Sequence, residues 1–378
     1  MTATRVAAID CGTNSIRLLI ADDDPGTGRL TDVARRSRIV RLGQDVDRTG
    51  RLAAEAIERV RVALADYAGL CAELGVERVR MVATSATRDA DNRADFRAMV
   101  RATLGAEPEV ISGREEADLS FTGSLRDLAD GTAPPPRVVV DVGGGSTELV
   151  LGDRDAARAG YSMDIGSVRL TERHLHDDPP TAEQVAAAEA DIRAALAVAG
   201  REVPVDRARS LIGVSGSVTT VASLALGLDA YDPYRVHHAR IPAEDVRRVA
   251  AHLLGSTRAQ RAEHTVINAG RVDVIAAGAL ILREVIDAVG VGEVVASGYD
   301  ILDGLAQSVR ERTAGEPAWS GAGRAGGDPA GGVGDSGGRP GGADSGEPPK
   351  VEMSRDGASW TQPAAAEPTP GPRRRAAG

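Results

Sequence analysis

The sequence predicts an α/β protein with two domains of common plan, and three observations support this prediction. First, a segment starting at Asp10 aligns without a gap on one starting at Asp141, as Asp-Cys-Gly-Thr-Asn-Ser on Asp-Val-Gly-Gly-Gly-Ser. Second, apolar runs typical of strands alternate with helical periodicity through both halves. Third, residues 313–378 are rich in Gly, Pro, Ala and Ser without apolar periodicity, which predicts a disordered C-terminal tail rather than a third domain.

Apolar periodicity and turn residues place the elements of each half in order. Each copy of the repeat predicts a hairpin, because a buried β-branched strand, a Gly-rich turn and a second apolar strand follow one another. The first half is predicted to contain a hairpin at 6–22, strands at 38–42, 79–84 and 109–111, and helices at 52–74, 93–104 and from 112 to about 128. The second half is predicted to contain a hairpin at 137–152 and strands at 210–213 and 293–297. Its predicted helices are at 183–199, 242–254, 270–289 and 301–312, with a further apolar helix that ends near residue 226.

The segment Gly131-Thr-Ala-Pro-Pro-Pro predicts the junction between the domains, since successive prolines continue neither a helix nor a central strand. The predicted domains are therefore residues 1–128 and 129–312, with the last helix expected to pack back on the first domain. Both tryptophans, Trp319 and Trp360, lie in the predicted tail.

Composition excludes several classes of protein. The two cysteines, Cys11 and Cys71, have no metal-binding spacing and give no disulfide framework, which is typical of a reduced compartment. Nothing resembles a signal peptide, and no apolar run approaches the ~20 residues of a membrane helix, so we expect a cytoplasmic protein without a membrane partner. A net charge of −10 argues against a nucleic-acid partner, although a local arginine cluster can still bind an anionic substrate.

The tips of the two hairpins are candidate phosphate sites. Glycines let the backbone approach an anion, and consecutive N–H groups with a Ser or Thr hydroxyl supply donors. An aspartate at the strand end does not attract phosphate, so its natural ligand there is a divalent cation. The alternative is two unrelated strand-turn-strand units with structural glycines. The candidate phosphate-binding residues are Gly12, Thr13, Asn14, Ser15, Arg17, Gly143, Gly144, Gly145 and Ser146, and the candidate metal ligands are Asp141 and Asp10.

Two further segments contain candidate functional residues. Ser215, Gly216 and Ser217 lie between a predicted strand and a helix, where backbone amides form an anion site or merely cap the helix. Ser112 precedes Glu115 by three residues, so a cap places Glu115 and Glu116 in the first turn of a helix. There they are either catalytic carboxylates or acids that interact favourably with the helix dipole. Arginines near the loop motifs, including Arg17, Arg88, Arg169 and Arg271, bind anions or are solvated.

With these segments in place, the chain resembles the exopolyphosphatase/guanosine pentaphosphate phosphatase family of the actin-like, sugar-kinase and Hsp70 superfamily. The resemblance covers about residues 5–312 and rests on motifs that occur in a fixed order. Besides Asp10-Cys-Gly-Thr-Asn-Ser, they are Thr84-Ser-Ala-Thr-Arg-Asp-Ala, Ile111-Ser-Gly-Arg-Glu-Glu-Ala, Asp141-Val-Gly-Gly-Gly-Ser-Thr-Glu, Gly166-Ser-Val-Arg-Leu-Thr-Glu, Ser215-Gly-Ser-Val-Thr-Thr and Gly270-Arg-Val-Asp-Val-Ile-Ala-Ala-Gly.

This resemblance implies two ribonuclease-H-like domains around a central cleft, Mg²⁺ as cofactor, a homodimer, and hydrolysis of the terminal phosphoanhydride of polyphosphate or guanosine pentaphosphate. It implies that Glu116 orients the attacking water, that Asp141 holds magnesium and that Arg88 neutralises substrate charge, with Glu115 a further catalytic candidate. Long family members add a C-terminal helical hydrolase-like domain, and residues 313–378 stand in its place here, as in a short form.

Other functions remain open from the sequence. A kinase of the same superfamily would transfer phosphate to an acceptor and need a nucleotide pocket. A Hsp70-like or actin-like ATPase is disfavoured because no substrate-binding domain follows. A non-catalytic sensor of guanosine tetra- or pentaphosphate would have no use for a water-activating carboxylate, so the presence of both Glu116 and Asp141 argues against it. The motifs favour direct attack by water, since no Ser-His or Cys-His pair is evident.

Overall fold

A computed structural model of the chain describes residues 3–129, 131–312 and 318–320. It confirms the predicted α/β class, with two mixed sheets of matching strand order. Counted in chain order within each half, the strands of the first sheet are ordered 3-2-1-4-5 and those of the second sheet 3-2-1-4-6-5. In each sheet an antiparallel three-stranded meander is continued by parallel strands, so the sequence repeat corresponds to a repeat of topology.

The elements of the first half follow the predicted order. The strands are β1 (Thr4–Cys11), β2 (Ser15–Asp24), β3 (Arg29–Ile39), β4 (Arg78–Ala83) and β5 (Glu109–Val110). The helices are α1 (Val46–Thr49), α2 (Ala54–Glu73), α3 (Ser85–Asp89), α4 (Arg93–Leu104) and α5 (Gly113–Ser124).

The second half repeats this order with additional helices. The strands are β6 (Arg137–Val142), β7 (Thr147–Gly152), β8 (Ala157–Met163), β9 (Ser210–Val214), β10 (Arg240–Pro242) and β11 (Glu293–Ala296). The helices are α6 (Ser167–His174), α7 (Ala182–Glu202), α8 (Ser215–Ala225), α9 (Pro233–Val236), α10 (Ala243–Gly255), α11 (Arg258–Ala262), α12 (Ile275–Val289) and α13 (Ile301–Arg312). Within the described ranges, no helix is both long enough and apolar enough to cross a membrane.

Two predicted elements were misplaced. The strand predicted at 38–42 is β3, which starts at Arg29 and ends at Ile39 because it pairs along the whole of β2. Beyond it the chain turns, and the amides of Val40 and Arg41 both donate to the carbonyl of Asn14. The helix predicted at 270–289 begins only at Ile275, since the preceding residues form turns that hold Arg271 against the cleft.

The last helices of the two halves cross each other between the sheets. Helix α13 packs on the first sheet, where Leu302 and Leu305 join its core. Helix α5, which a boundary at residue 128 would assign to the first domain, packs Phe121 on the second sheet. The helices cross in backbone contact at Gly123, where a Cβ would lie 1.8 Å from the carbonyl oxygen of Asp300. This crossing joins the halves and places the first turn of α5 above the second hairpin.

The predicted tail lies outside the described residues except for 318–320, and there the structure differs from the prediction. The indole of Trp319 donates to the carbonyl of Leu104 at 3.0 Å, and its backbone amide donates to the carbonyl of Glu77 at 2.7 Å. The ring is half-buried against the core of the first half. A single aromatic side chain, invisible to a search for periodicity, provides this contact.

Candidate active site

The two hairpin tips and the start of α8 meet in one cavity between the halves. The predicted phosphate-binding residues all line it, namely Gly12, Thr13, Asn14, Ser15, Arg17, Gly143, Gly144, Gly145, Ser146, Ser215, Gly216 and Ser217. The predicted metal ligands Asp10 and Asp141 line it as well, together with Glu116. The structure therefore brings together segments that are far apart in the sequence, as the phosphate hypothesis requires.

Glycines at the tips let the two hairpins touch. In each tip a glycine amide donates to a serine carbonyl, from Gly12 to Ser15 at 2.9 Å and from Gly143 to Ser146 at 3.1 Å. A Cβ on Gly145 would lie 2.5 Å from the hydroxyl oxygen of Thr13, closer than any side chain allows. The tips can thus present backbone N–H groups to a phosphate from both sides of the cavity.

The start of α8 forms a third wall of the cavity. Ser215 has a φ of 79°, a left-handed conformation that is unfavourable for a serine and is often found at functional sites. The guanidinium of Arg271 lies directly on Gly216, since a Cβ there would be 2.2 Å from its Cζ atom. Burial lowers the pKa of Arg271, and within the described residues no carboxylate forms an ion pair with it. Its charge is therefore available to an anionic ligand.

Glu116 is positioned at the cavity by the cap of α5. Its neighbour Glu115 donates its backbone amide to the Ser112 hydroxyl oxygen at 3.2 Å, which fixes the first turn of the helix. The Glu116 carboxylate accepts a hydrogen bond from Arg88 at 2.6 Å. Burial raises the pKa of Glu116 to about 7, although Arg88 acts in the opposite direction. A carboxylate of this pKa can accept a proton from water near neutral pH.

The two hairpin aspartates differ in their partners. Asp10 accepts hydrogen bonds from Arg17 at 2.6 and 3.0 Å, whereas Asp141 accepts one from the hydroxyl of Ser120 at 2.7 Å. Burial raises the pKa of both carboxyls, that of Asp141 to about 6. The other oxygen of Asp10, Oδ1, is buried without a hydrogen-bond partner among the described residues.

Two predicted catalytic residues lie elsewhere than expected. Glu115 does not line the cavity, because its carboxylate forms an ion pair with Arg80 at 2.9 Å. Its predicted place in the site is therefore corrected to a position behind it. Arg88 does not line the cavity directly either, but acts on it through Glu116.

Sequence reasoning missed one carboxylate and gave too little weight to one arginine. Glu148 is buried close to the cavity, and burial together with Glu116 and Asp141 raises its pKa well above the usual range. Its motif was visible, since it follows the second hairpin tip directly. For Arg271 the sequence leaves anion binding and solvation both open, because its position depends on the turns before α12, which periodicity does not predict.

A second cavity of about 280 Å³ continues from the first. The two share Arg17 and Arg271, which lie at their boundary. Its lining also includes the polar or charged residues Arg35, Arg36, Asn268 and Asp300. A ligand longer than a terminal phosphate can therefore extend past two guanidinium groups into a second polar space.

Comparison with known proteins identifies the family to which the chain belongs. The model of the Ppx/GppA phosphatase family matches residues 19–311. The chain is 52% identical over 320 residues to exopolyphosphatase 2 of Mycobacterium tuberculosis. The aligned residues cover 82% of this chain and 99% of that protein. Among solved structures, an exopolyphosphatase-like protein has a TM-score of 0.80 at 44% identity, covering 83% and 100% of the two chains. The Aquifex aeolicus Ppx/GppA family member has a TM-score of 0.68 at 30% identity, covering 82% and 98%. The chain therefore belongs to the Ppx/GppA phosphatase family.

Proposed function

We propose that this protein hydrolyses the terminal phosphoanhydride bond of inorganic polyphosphate by direct attack of water. The observation that carries the proposal is the convergence of two Gly-rich hairpin tips and Glu116 on one cavity. The 52% identity to a protein named exopolyphosphatase 2 supports this choice of substrate.

The geometry suits a reaction without a covalent intermediate. No His or Cys lines the cavity within the described residues, so its serines have no imidazole base to activate them. Cys11 is buried in β1, and burial raises the pKa of its thiol well above the usual value. Glu116 is the group able to take a proton from water, and Arg88 orients its carboxylate.

Charge stabilisation would come from the walls of the cavity. Phosphoryl transfer depends mainly on positioning and electrostatics, because its transition state is loose and carries charge on the phosphoryl oxygens. The backbone N–H groups of the hairpin tips could bind those oxygens, and Arg271 would add a positive charge that no carboxylate of the described residues pairs with. Arg17 lines the same cavity but already forms ion pairs with Asp10 and Asp300.

We further propose Mg²⁺ as cofactor, held by Asp141 with Asp10 nearby. The donor set fits, because carboxylate oxygens are the ligands that this hard cation prefers and the Oδ1 of Asp10 lacks a partner. Within the described residues no three acidic, His or Cys side chains form a preformed metal site. Phosphate oxygens and water would complete the coordination, as is usual for Mg²⁺, which when bound would neutralise phosphate charge.

Guanosine pentaphosphate is a second candidate substrate, favoured by one observation. Tyr231 lines the second cavity, and a base bound there could stack on an aromatic ring. The polyphosphate chain would instead use the arginines of the same cavity. A homodimer, implied by the family resemblance, remains a proposal that analytical ultracentrifugation would test.

The experiment that tests the proposal is phosphate release from long polyphosphate, tripolyphosphate and guanosine pentaphosphate, each with and without Mg²⁺ and with no acceptor added. Release from a polyphosphate would support an exopolyphosphatase. Turnover only with an added acceptor would indicate a kinase instead. Equilibrium binding of guanosine pentaphosphate without turnover would indicate a sensor.

A further inference from the structure

Arg169 is a buried charge that contacts both halves of the molecule. It lies on α6 in the second half, and only 9% of the residue is exposed. Its Nε donates to the carbonyl of Gly145 at 2.7 Å, in the second hairpin tip. Its two remaining nitrogens reach across to the first half, where they form ion pairs with Asp47 and Asp89.

Each partner of Arg169 is connected to the reactive groups. Asp89 follows Arg88 directly on α3, and Arg88 holds Glu116. Asp47 lies on α1, a short helix that follows Gly43, whose amide donates to the carbonyl of Thr13 at 2.8 Å in the first hairpin tip. The Arg169 cluster, made of Arg169, Asp47, Asp89 and Gly145, therefore lies behind both tips.

We propose that Arg169 is a positioning residue that holds the two halves in the alignment needed for phosphate to bind, a role that rests on the proposed function. A charge taken out of water is stable only where partners compensate it. Three of the four groups that compensate Arg169 are side chains of the opposite half, those of Asp47, Asp89 and Ser85. Separation of the halves would leave the guanidinium with the Gly145 carbonyl alone.

Loss of the cluster has a distinctive kinetic signature. Without Arg169 the aligned state would be populated only in part, and the apparent affinity for substrate falls by that fraction. Substrate in excess restores the alignment, so kcat survives. A role in stability alone would lower the melting temperature and leave the KM of the folded enzyme unchanged.

Arg173 provides a matched control. It lies one turn later on α6 and also binds Asp47, at 2.6 Å, but touches neither hairpin tip nor Asp89. Of its two carboxylate partners, Asp47 keeps its ion pair with Arg169, and the side chain of Asp191 is 31% exposed to water. A change at Arg173 thus removes its ion pairs with Asp47 and Asp191 and leaves the contact between α3 and the second tip intact.

The experiment compares Arg169→Gln, Arg169→Lys and Arg173→Gln on tripolyphosphate. We expect Arg169→Gln to raise KM about tenfold or more with kcat within about twofold, Arg169→Lys to restore part of the affinity, and Arg173→Gln to change KM by less than about twofold. Asp89→Asn should reproduce the effect of Arg169→Gln. An unchanged KM in Arg169→Gln, or an equal rise in Arg173→Gln, would overturn the proposal.

Small-angle X-ray scattering of the substrate-free proteins measures the radius of gyration, a readout of the alignment of the halves that does not depend on activity. Arg169→Gln should have a larger radius of gyration than the wild type, while Arg173→Gln should match the wild type. If wild-type protein released no phosphate from any polyphosphate, the proposed function would fail, yet the scattering result would still decide whether Arg169 aligns the halves. Equal radii for all three proteins would contradict the alignment.

Discussion

The two copies of the Asp-x-Gly hairpin share a backbone but differ in charge, since the first pairs an aspartate with an arginine and the second pairs an aspartate with a glutamate. Arg17 in the first copy occupies the position that Glu148 occupies in the second, and each is the direct cross-strand partner of its aspartate. Asp10 is consequently neutralised by a guanidinium, whereas Asp141 faces a second carboxylate. The duplication thus supplies two tips with backbone donors for phosphate, of which the second also has the excess negative charge that attracts a cation.

Burial increases the effect of this charge difference between the two hairpin copies. Arg17 is paired with both Asp10 and Asp300, so the first copy carries its own counter-charges. In the second copy the carboxyls of Asp141 and Glu148 are buried, and burial raises the pKa of each. Carboxyls held in this way gain most from a divalent cation, which would remove their mutual repulsion.

The largest expected effect is at Glu116, which lies above the acidic second copy. Glu116→Gln keeps the size of the side chain but removes the base, so we expect kcat to fall by about 10²–10⁴ while substrate affinity holds. The matched control is Glu115→Gln, because Glu115 is paired with Arg80 away from the cavity. Steady-state kinetics with binding measured by calorimetry would separate the two. Near wild-type turnover in Glu116→Gln would show that the base lies elsewhere.

The next effect compares the two aspartates directly. Asp141→Asn should raise the Mg²⁺ concentration for half-maximal activity by at least about tenfold, because an amide lacks the charge that holds a hard cation. Asp10→Asn should change it much less, since Asp10 is already paired with Arg17. Titration of Mg²⁺ by calorimetry gives a readout without turnover. Equal shifts in both variants would mean that the copies share the metal equally.

A third effect concerns the pH dependence of kcat/KM, which Arg88 should shift because it pairs with Glu116. The base must be ionised, so kcat/KM should rise with pH through about 7, the pKa of Glu116 in the free protein. Arg88 lowers that pKa by its charge and hydrogen bond, so Arg88→Gln should move the acid limb to higher pH, by about 1–3 units. Arg97→Gln, which alters an exposed ion pair with Glu107, should leave the profile unmoved. An acid limb that stays in place in Arg88→Gln would exclude Glu116 as the titrating group.

Local signals in the sequence predicted much of the site. Each hairpin tip and the Ser112 cap is formed by residues close together in the sequence, and the structure contains these features at the predicted positions. Contacts between distant segments were not predictable in this way. Neither the pairing of Glu115 with Arg80 nor the position of Arg271 on Gly216 follows from spacing, because each depends on how helices pack. Strand β3 was misplaced because charged residues occupy much of its length, which weakens the apolar alternation.

The halves also differ in that a C-terminal residue, Trp319, packs on the core of the first half. We expect its loss to have the smallest effect, a modest loss of stability. Among the described residues, Trp319 contacts the first half, through its hydrogen bond to Leu104 and its packing against the core of that half. Trp319→Ala should destabilise the protein by roughly 2 kcal/mol, about half the cost of losing a fully buried Trp. The melting temperature should fall by about 1–2 °C for each kcal/mol, because the unfolding entropy of roughly 300 folded residues is about 0.6 kcal/mol/K. We expect kcat and KM to be unchanged, because the cavity is distant.

Truncation separates this contact from the rest of the C-terminal segment. A chain ending at residue 320 should keep the wild-type melting temperature, and one ending at residue 312 should lose as much as Trp319→Ala does. Fluorescence in a Trp360→Phe background would report the burial of Trp319 directly, as a blue-shifted emission that moves to the red on unfolding. If both truncations were equally destabilised, residues beyond 320 would contribute the stability instead. If neither were, the indole contact would add nothing, and the first half would be supported by its own core and by α13 alone.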